Sequence, residues 1–236
     1  MNEGNVFNWI SPNLVPWEFN HVFMALLVSV VLLVTTFVAR GQLLREMKSV
    51  DGGLVPPPAM TFKNFFEIVA ESLFKLTENV IGHHDAPIYF PVVGSLFCFV
   101  FFSNLLGMIP GIVPPTENLN TTLSLGLFVF VYYNIAGVKA HGMGYLKHFM
   151  GPVWWLAPLM FAIELASHIF RPLSLGIRLY GNIMGDHAVL GVFTGLVPYL
   201  LPVVFCGLGL FVAFIQAFVF CLLTMVYISL STAHDH

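Results

Sequence analysis

An all-α integral membrane protein, with about five spans and one amphipathic surface helix, is the fold class this sequence predicts. Three observations predict it. Apolar residues make up 58% of the chain and charged residues only 9%, where a soluble domain carries about 25% charge. Five stretches reach or approach the ~20 apolar residues that cross a hydrocarbon core. Prolines, glycines and basic residues punctuate the gaps between them. Residues 1–236 read as a single membrane domain, with 1–20 as a segment outside the membrane.

Met1–Asn20 has no basic n-region, and Pro12 and Pro16 interrupt its apolar residues. It does not read as a signal peptide, so the first span, Val22 to Ala39, is expected to act as the insertion signal. Arg40, Arg45 and Lys48 close that span. Gly52, Gly53 and the run Pro56, Pro57, Pro58 then mark a loop.

Thr61 to Gly82 differs in kind. Phe62, Phe65, Phe66, Val69, Leu73, Leu76 and Val80 recur at helical spacing, with Lys63, Glu67, Glu71, Lys75 and Glu78 opposite. That pattern predicts an interfacial helix over 61–82, lying at the membrane surface.

Ile88 to Ile109 is the second span, ended by Pro110, Gly111, Pro114 and Pro115. Leu119 to Val138 is the third, closed by Lys139. The fourth, Pro152 to Leu190, is longer than a perpendicular helix needs, so strong tilt is expected. Gly191 to Pro202 supplies Gly195, Pro198 and Pro202 for a turn, and the fifth span runs from Val203 to Leu230. Residues 152–230 thus form a long, tilted helical hairpin.

Basic residues set the orientation. Arg40, Arg45 and Lys48 fall on one side, joined two spans later by Lys139 and Lys147. The opposite side carries Glu3, Glu18 and Glu117 without Lys or Arg. The expected arrangement is N-terminus outside and C-terminus in the cytoplasm.

The charge balance, a net −3 without a long basic run, argues against nucleic acid as a partner. Cys98, Cys206 and Cys221 lie in apolar segments without paired spacing and read as small core residues. The nine histidines raise an intramembrane metalloprotein, but no two pairs share the helical spacing that ligand sets need. A self-contained secondary transporter would show duplicated halves, and none is evident. No Gly-rich phosphate loop of the Walker type is present, so the chain is not expected to bind ATP; no cofactor and no metal are expected either.

The candidate site lies on the fourth span. On a wheel of about 100° per residue with Glu164 at zero, His168 falls near +40°, Arg171 near −20°, Arg178 near −40°, Asn182 near 0° and Asp186 near +40°. These side chains share a sector of about 80°, while His187 stands about 100° away from Asp186. A guanidinium cannot lose its proton, and placing one in hydrocarbon costs on the order of 3 kcal/mol on lenient scales. Arg178, deepest in the stretch, therefore calls for a partner charge or a water-filled cavity. Arg171 admits a functional role as well as snorkelling or structural pairing, and His168 a local hydrogen bond. On the fifth span Gln216 is the central polar residue, with Thr224, Tyr227 and Ser229 beyond it, able to line an aqueous path or to join helices.

These residues resemble subunit a of the rotary F-type ATP synthase, bacterial type. The resemblance is close in Arg171-Pro-Leu-Ser-Leu-Gly-Ile-Arg-Leu-Tyr-Gly-Asn182 and again in Gln216-Ala-Phe-Val-Phe-Cys-Leu-Leu-Thr-Met-Val-Tyr-Ile-Ser229. Ser103-Asn-Leu-Leu-Gly-Met-Ile-Pro110 is similar to that family's early-span motif.

The resemblance implies a non-catalytic subunit of a bacterial inner (plasma) membrane, translocating protons. Its implied partners are the rotating c-ring, the subunit b peripheral stalk and the lipid bilayer. Arg178 would face the carboxylate of each passing c-subunit, with Asn182 and Gln216 beside it and Glu164 on the cytoplasmic half-channel. Nine residues after the arginine, where many bacterial members have Glu, this chain has His187, preceded by Asp186. Gly209 stands where some members carry His or Glu. Which of Asp186 and His187 relays protons on the outer side is left open by the sequence.

Overall fold

A computed structural model describes residues 19–47, 62–109, 112–142, 157–196 and 200–232. They form six α-helices: α1 (Asn20–Met47), α2 (Phe62–Ile81), α3 (Ala86–Leu106), α4 (Leu119–His141), α5 (Ala157–Leu196) and α6 (Leu200–Thr232). A short 3-10 turn, Pro115–Glu117, leads into α4. No strand occurs among the described residues. The N-terminal 18 residues and the C-terminal Ala233–His236 lie outside them.

Local chemistry explains the boundaries. Gly82, at φ +107°, turns the chain out of α2, and its amide donates to the Glu78 carbonyl at 2.9 Å. Pro87 sits in the first turn of α3, where its missing N–H costs nothing. Asn118 caps α4, its side chain accepting from the Asn120 amide at 2.9 Å. Lys139 and His141 occupy the last turn of α4, complementing its negative end.

The bundle is built around α6, which packs against α2, α3, α4 and α5. Its Ala217, Phe220, Cys221, Met225 and Ile228 meet Val93, Phe97 and Val100 of α3, Val129 and Tyr133 of α4, and Leu175 and Leu179 of α5 in one buried cluster. The apolar side of α2, with Leu73 buried and Val69, Leu76 and Val80 around it, lies on this same cluster. Protein takes up the face that amphipathicity alone assigns to lipid. Glu71 and Lys75 pair at 2.7 Å on the exposed side of α2.

Four helices are long and apolar enough to cross a membrane: α1 over Asn20–Gly41, α3, α4 and α6 over Val203–Thr232. Their outward sides carry large apolar residues, such as Leu33 and Phe37 on α1 and Leu127 and Ile135 on α4. The chain is an all-α integral membrane protein.

The fifth expected span, α5, has 40 residues, roughly 60 Å of helix, twice a hydrocarbon core of about 30 Å. Its charges keep it out of the apolar set. Pro172 lies inside it without ending it. The expected turn over Gly191 to Pro202 is shorter than the sequence suggests. Helix α5 continues to Leu196 and α6 resumes at Leu200. Phe193 stacks on Phe205 with ring centroids 4.8 Å apart, so hydrophobic contact holds the helices together where glycines suggest a loop.

Helices α4 and α5 approach closely because neither has a Cβ at the crossing. A Cβ added to Gly126 would lie 2.5 Å from the Pro172 carbonyl oxygen, and one on Gly176 would lie 2.9 Å from that of Thr122. This seam fixes the height at which the polar residues of α5 meet α4.

Candidate functional site

The polar sector of α5 does not stay on one face of the bundle. Neighbouring helices divide it into three settings along the helix.

The first lies against α4 and α6. His168 is buried, its Nδ1 3.1 Å from the Tyr133 hydroxyl of α4. Glu164 sits one turn earlier, its Oε1 3.5 Å from His168 Nε2 and 3.9 Å from Arg171 Nη2. The Arg171 guanidinium also lies over the Tyr227 ring of α6, 5.5 Å from its centroid. Arg171 thus has both a carboxylate and an aromatic ring of the chain beside it. The sequence suggests a local hydrogen bond for His168, but its Nδ1 reaches Tyr133 on another helix, while Glu164 of its own helix stands beside Nε2.

The second setting contains Arg178. Its side chain is exposed on α5, and among the described residues no carboxylate lies within ion-pair distance. Ser174, Gly181 and Gly185 share its exposed face at helical spacing. Among the described residues nothing would meet a Cβ at Gly181 or Gly185. One turn beyond Arg178, the Asn182 side-chain amide donates to Oε1 of Gln216. Gln216 is itself buried, so this bond ties the arginine's helix to α6. Thr224 bonds the Phe220 carbonyl at 2.8 Å and is fully buried. That bond satisfies its hydroxyl within its own helix.

The third setting gathers Asp186 and His187 with residues from α3 and the 3-10 turn. His187 Nδ1 lies 3.1 Å from Oε2 of Glu117, and Nε2 lies 3.1 Å from the Gly107 carbonyl oxygen. A cavity of about 160 Å³ is lined by Asn104, Gly107, Asp186, His187, Cys206 and Gly209, among others. Asn104 is 3% exposed, and neither of its side-chain polar atoms has a partner. Such atoms call for bound water in a site with enough room.

Glu117, Gly107, Asn104 and Tyr133 are site residues that sequence reasoning missed. Glu117 was visible as an acid in a proline-rich connection, and Asn104 and Gly107 as parts of a motif at a span end. Gly107 has a steric signal: a Cβ there would fall 2.8 Å from Pro114 Cγ and 3.2 Å from His187 Nε2. Among the described residues no three His, Cys, Asp or Glu side chains converge to hold a metal ion.

Fold and site together define a multi-pass membrane protein in which a long charged helix, braced by apolar spans, presents one uncompensated guanidinium on its outer side. The chain belongs to the ATP synthase A chain family, whose family model matches residues 22–229. It is similar to ATP synthase subunit a of Bdellovibrio bacteriovorus, 52% identical over 187 residues that cover 79% of this chain and 81% of that protein. It is also similar to ATP synthase subunit a of Geobacter sulfurreducens, 46% identical over 210 residues (88% and 86% covered). ATP synthase subunit a 3 of Pelobacter propionicus is 45% identical over the same length (88% and 86% covered).

Proposed function

We propose that this chain is the stationary, non-catalytic proton-path subunit of an F-type ATP synthase in a bacterial plasma membrane. It offers the rotating c-ring two offset half-channels, so that proton flow drives rotation and ATP synthesis elsewhere in the complex. The observation that carries this reading is the exposure of Arg178. A guanidinium facing hydrocarbon costs on the order of 3 kcal/mol or more, whereas one facing a partner's carboxylate is stabilised. The small side chains beside it permit a second helix to come close.

The two flanking settings suit opposite membrane faces. Along the helix Glu164 stands roughly 21 Å and Asp186 roughly 12 Å from Arg178, on opposite sides of it. Glu164 and His168 belong to the cytoplasmic half-channel, and Asp186, His187 and the cavity to the outer one. This orientation places the N-terminus outside and the C-terminus in the cytoplasm, with the basic ends of α1 and α4 inside. Carboxyl and imidazole groups exchange protons with water, but a guanidinium does not, so Arg178 separates the half-channels. Its charge also lowers the pKa of an opposing carboxyl, favouring proton release from the ring. Asn182 and Gln216 hold α5 and α6 in register beside it. The membrane potential supplies about 2.3 kcal/mol per charge per 100 mV.

The peripheral-stalk subunit b is the expected stationary neighbour, and nucleotide, nucleic acid and cofactors have no role in this subunit. In inverted membrane vesicles containing the complex, Arg178→Ala should abolish ATP-driven acidification while subunit insertion and c-ring assembly persist. Near-normal acidification in that variant would refute the proposal.

A further inference from the structure

At the outer cavity the chemistry exceeds what α5 carries, because the closest titratable partner of His187 comes from the connection between α3 and α4. The Gly107 carbonyl, 3.1 Å from His187 Nε2, can only accept, so Nε2 carries a proton. That leaves Nδ1, 3.1 Å from Glu117 Oε2, as the ring atom able to gain or lose one. If the ring is neutral, Glu117 must hold the proton to fill this contact. If the ring is an imidazolium, Glu117 is a carboxylate. Their close contact is therefore arranged to hold one mobile proton between two groups.

Position supports a relay as well as a bond. Both side chains are a little over a quarter exposed, 28% for His187 and 27% for Glu117, so neither is sealed from water. Behind them lies the cavity of about 160 Å³, room for several water molecules on the scale of about 10–15 Å³ per probe position. Asn104 borders that cavity, and Ser103 and Thr116, which precede Asn104 and Glu117 in the sequence, are fully buried with hydroxyl oxygens lacking partners. Helix α6 contributes Gly209 and the Cys206 thiol to the wall but no carboxylate or imidazole. The titratable groups packed around this point are Glu117, Asp186, His187 and Cys206, with His21 on the first turn of α1, a helix that also contacts the 3-10 turn.

We propose that Glu117 is the outer mouth of the proton path. Its carboxylate takes a proton from outside water, and the resulting carboxylic acid passes that proton to Nδ1 of His187, regenerating the carboxylate. The imidazolium then gives that Nδ1 proton to water in the cavity whose wall it shares with Asp186, which leaves a neutral ring, still held at Nε2 by Gly107, to accept the next proton from Glu117. This rests on the proton-path reading above and adds a residue to it.

The test uses the whole complex in inverted vesicles, with ATP-driven acidification followed across a range of lumenal pH. Glu117→Gln keeps the side-chain shape, and its amide N–H can still donate to Nδ1, but it cannot exchange a proton. The expected result is a rate at least tenfold lower, with normal assembly and a weakened dependence on lumenal pH. Glu117→Asp should restore part of the rate with a displaced pH profile. Glu117→Gln with His187→Gln should lose no more than His187→Gln alone, because the two act in series. A wild-type rate and pH profile in Glu117→Gln would overturn the proposal. So would equal losses in Glu117→Gln and Glu117→Asp with an unchanged profile, which would make the pair a strut. If Arg178→Ala stays inactive while Glu117→Gln pumps normally, only the outer relay fails; if both pump, the parent reading fails too.

Discussion

Placing a methyl group in the α4–α5 seam tests whether that contact sets the geometry of the site. In Gly126→Ala the new Cβ would lie 2.5 Å from the Pro172 carbonyl oxygen and 3.3 Å from its carbon. Ordinary carbon–oxygen contacts need about 3.3–3.6 Å, so the helices must part by roughly 0.8–1.1 Å. Both partners are backbone, and no rotamer change can relieve the clash. Two turns along α4, the Tyr133–His168 contact of 3.1 Å would stretch to roughly 4 Å and cease to be a hydrogen bond.

Overpacking costs about 1–3 kcal/mol and the lost bond about 1 kcal/mol. Better helix propensity returns up to ~1 kcal/mol. The net expectation is about 1–3 kcal/mol of destabilisation. It is to be read from denaturant titration of the purified chain in mild detergent. Gly94→Ala is the control, because its Cβ would meet only the Phe90 ring at 3.7 Å. Gly126→Ala combined with Gly176→Ala should cost less than the sum, since one widening relieves both clashes. Equal stability of Gly126→Ala and the Gly94→Ala control would refute the reasoning.

Two further substitutions probe the middle of α5. Gly181→Leu should leave the isolated chain as stable as before or slightly more so, since nothing within 4 Å meets its Cβ. In the assembled complex the same change should sharply lower ATP-driven pumping if, as proposed, a ring helix passes there; full pumping would place the ring on another face. Asn182→Leu strands the buried Gln216 amide and should cost about 1–3 kcal/mol of stability. Gln216→Leu leaves only the exposed Asn182 without its partner and should cost less, so the reverse ranking in denaturant titration would contradict the assigned burial.

Helix identities and the span pattern were legible in the sequence because lipid imposes them. Apolar runs near 20 residues, closed by Arg40, Pro110 or Lys139, follow from backbone hydrogen bonding that has to be satisfied internally. The surface of α2 was legible as amphipathic, but not what its apolar face would touch, since periodicity is blind to whether lipid or protein lies opposite. The residues of the polar sector were legible, and its division was not. An ideal wheel holds Glu164 and Asp186 on one line, while the environment of each depends on which helix stands beside that turn. Tyr133 and Glu117 lie 35 and 70 residues before their partners His168 and His187, so no local spacing connects them. The exposure of Arg178 followed the same logic in reverse. Sequence required a partner for it, and the fold shows that the described parts of this chain supply none.

The division of labour between α5 and the other helices gives that exposure its meaning. Helices α1, α3, α4 and α6 meet the length and apolarity that insertion requires, which leaves α5 free to carry Glu164, His168, Arg171, Arg178, Asp186 and His187. A helix with that load gains little from lipid and is held by protein instead: the glycine seam to α4, the Asn182–Gln216 bond to α6 and the Gly107–His187 contact to the end of α3. At both ends its charged groups are taken up by the chain's own side chains, Arg171 by Glu164 and Tyr227, His187 by Glu117. Among the described residues, only near the centre of α5 is a permanent charge left outward and unmatched, with side chains small enough beside it to admit another helix. If the role of α5 were structural, the arginine would be the residue most economically replaced by leucine. With Glu164, Arg171 and His187 each met by side chains of the chain itself, the exposed guanidinium of Arg178 is the group that the proposed acidic partner outside the chain would meet.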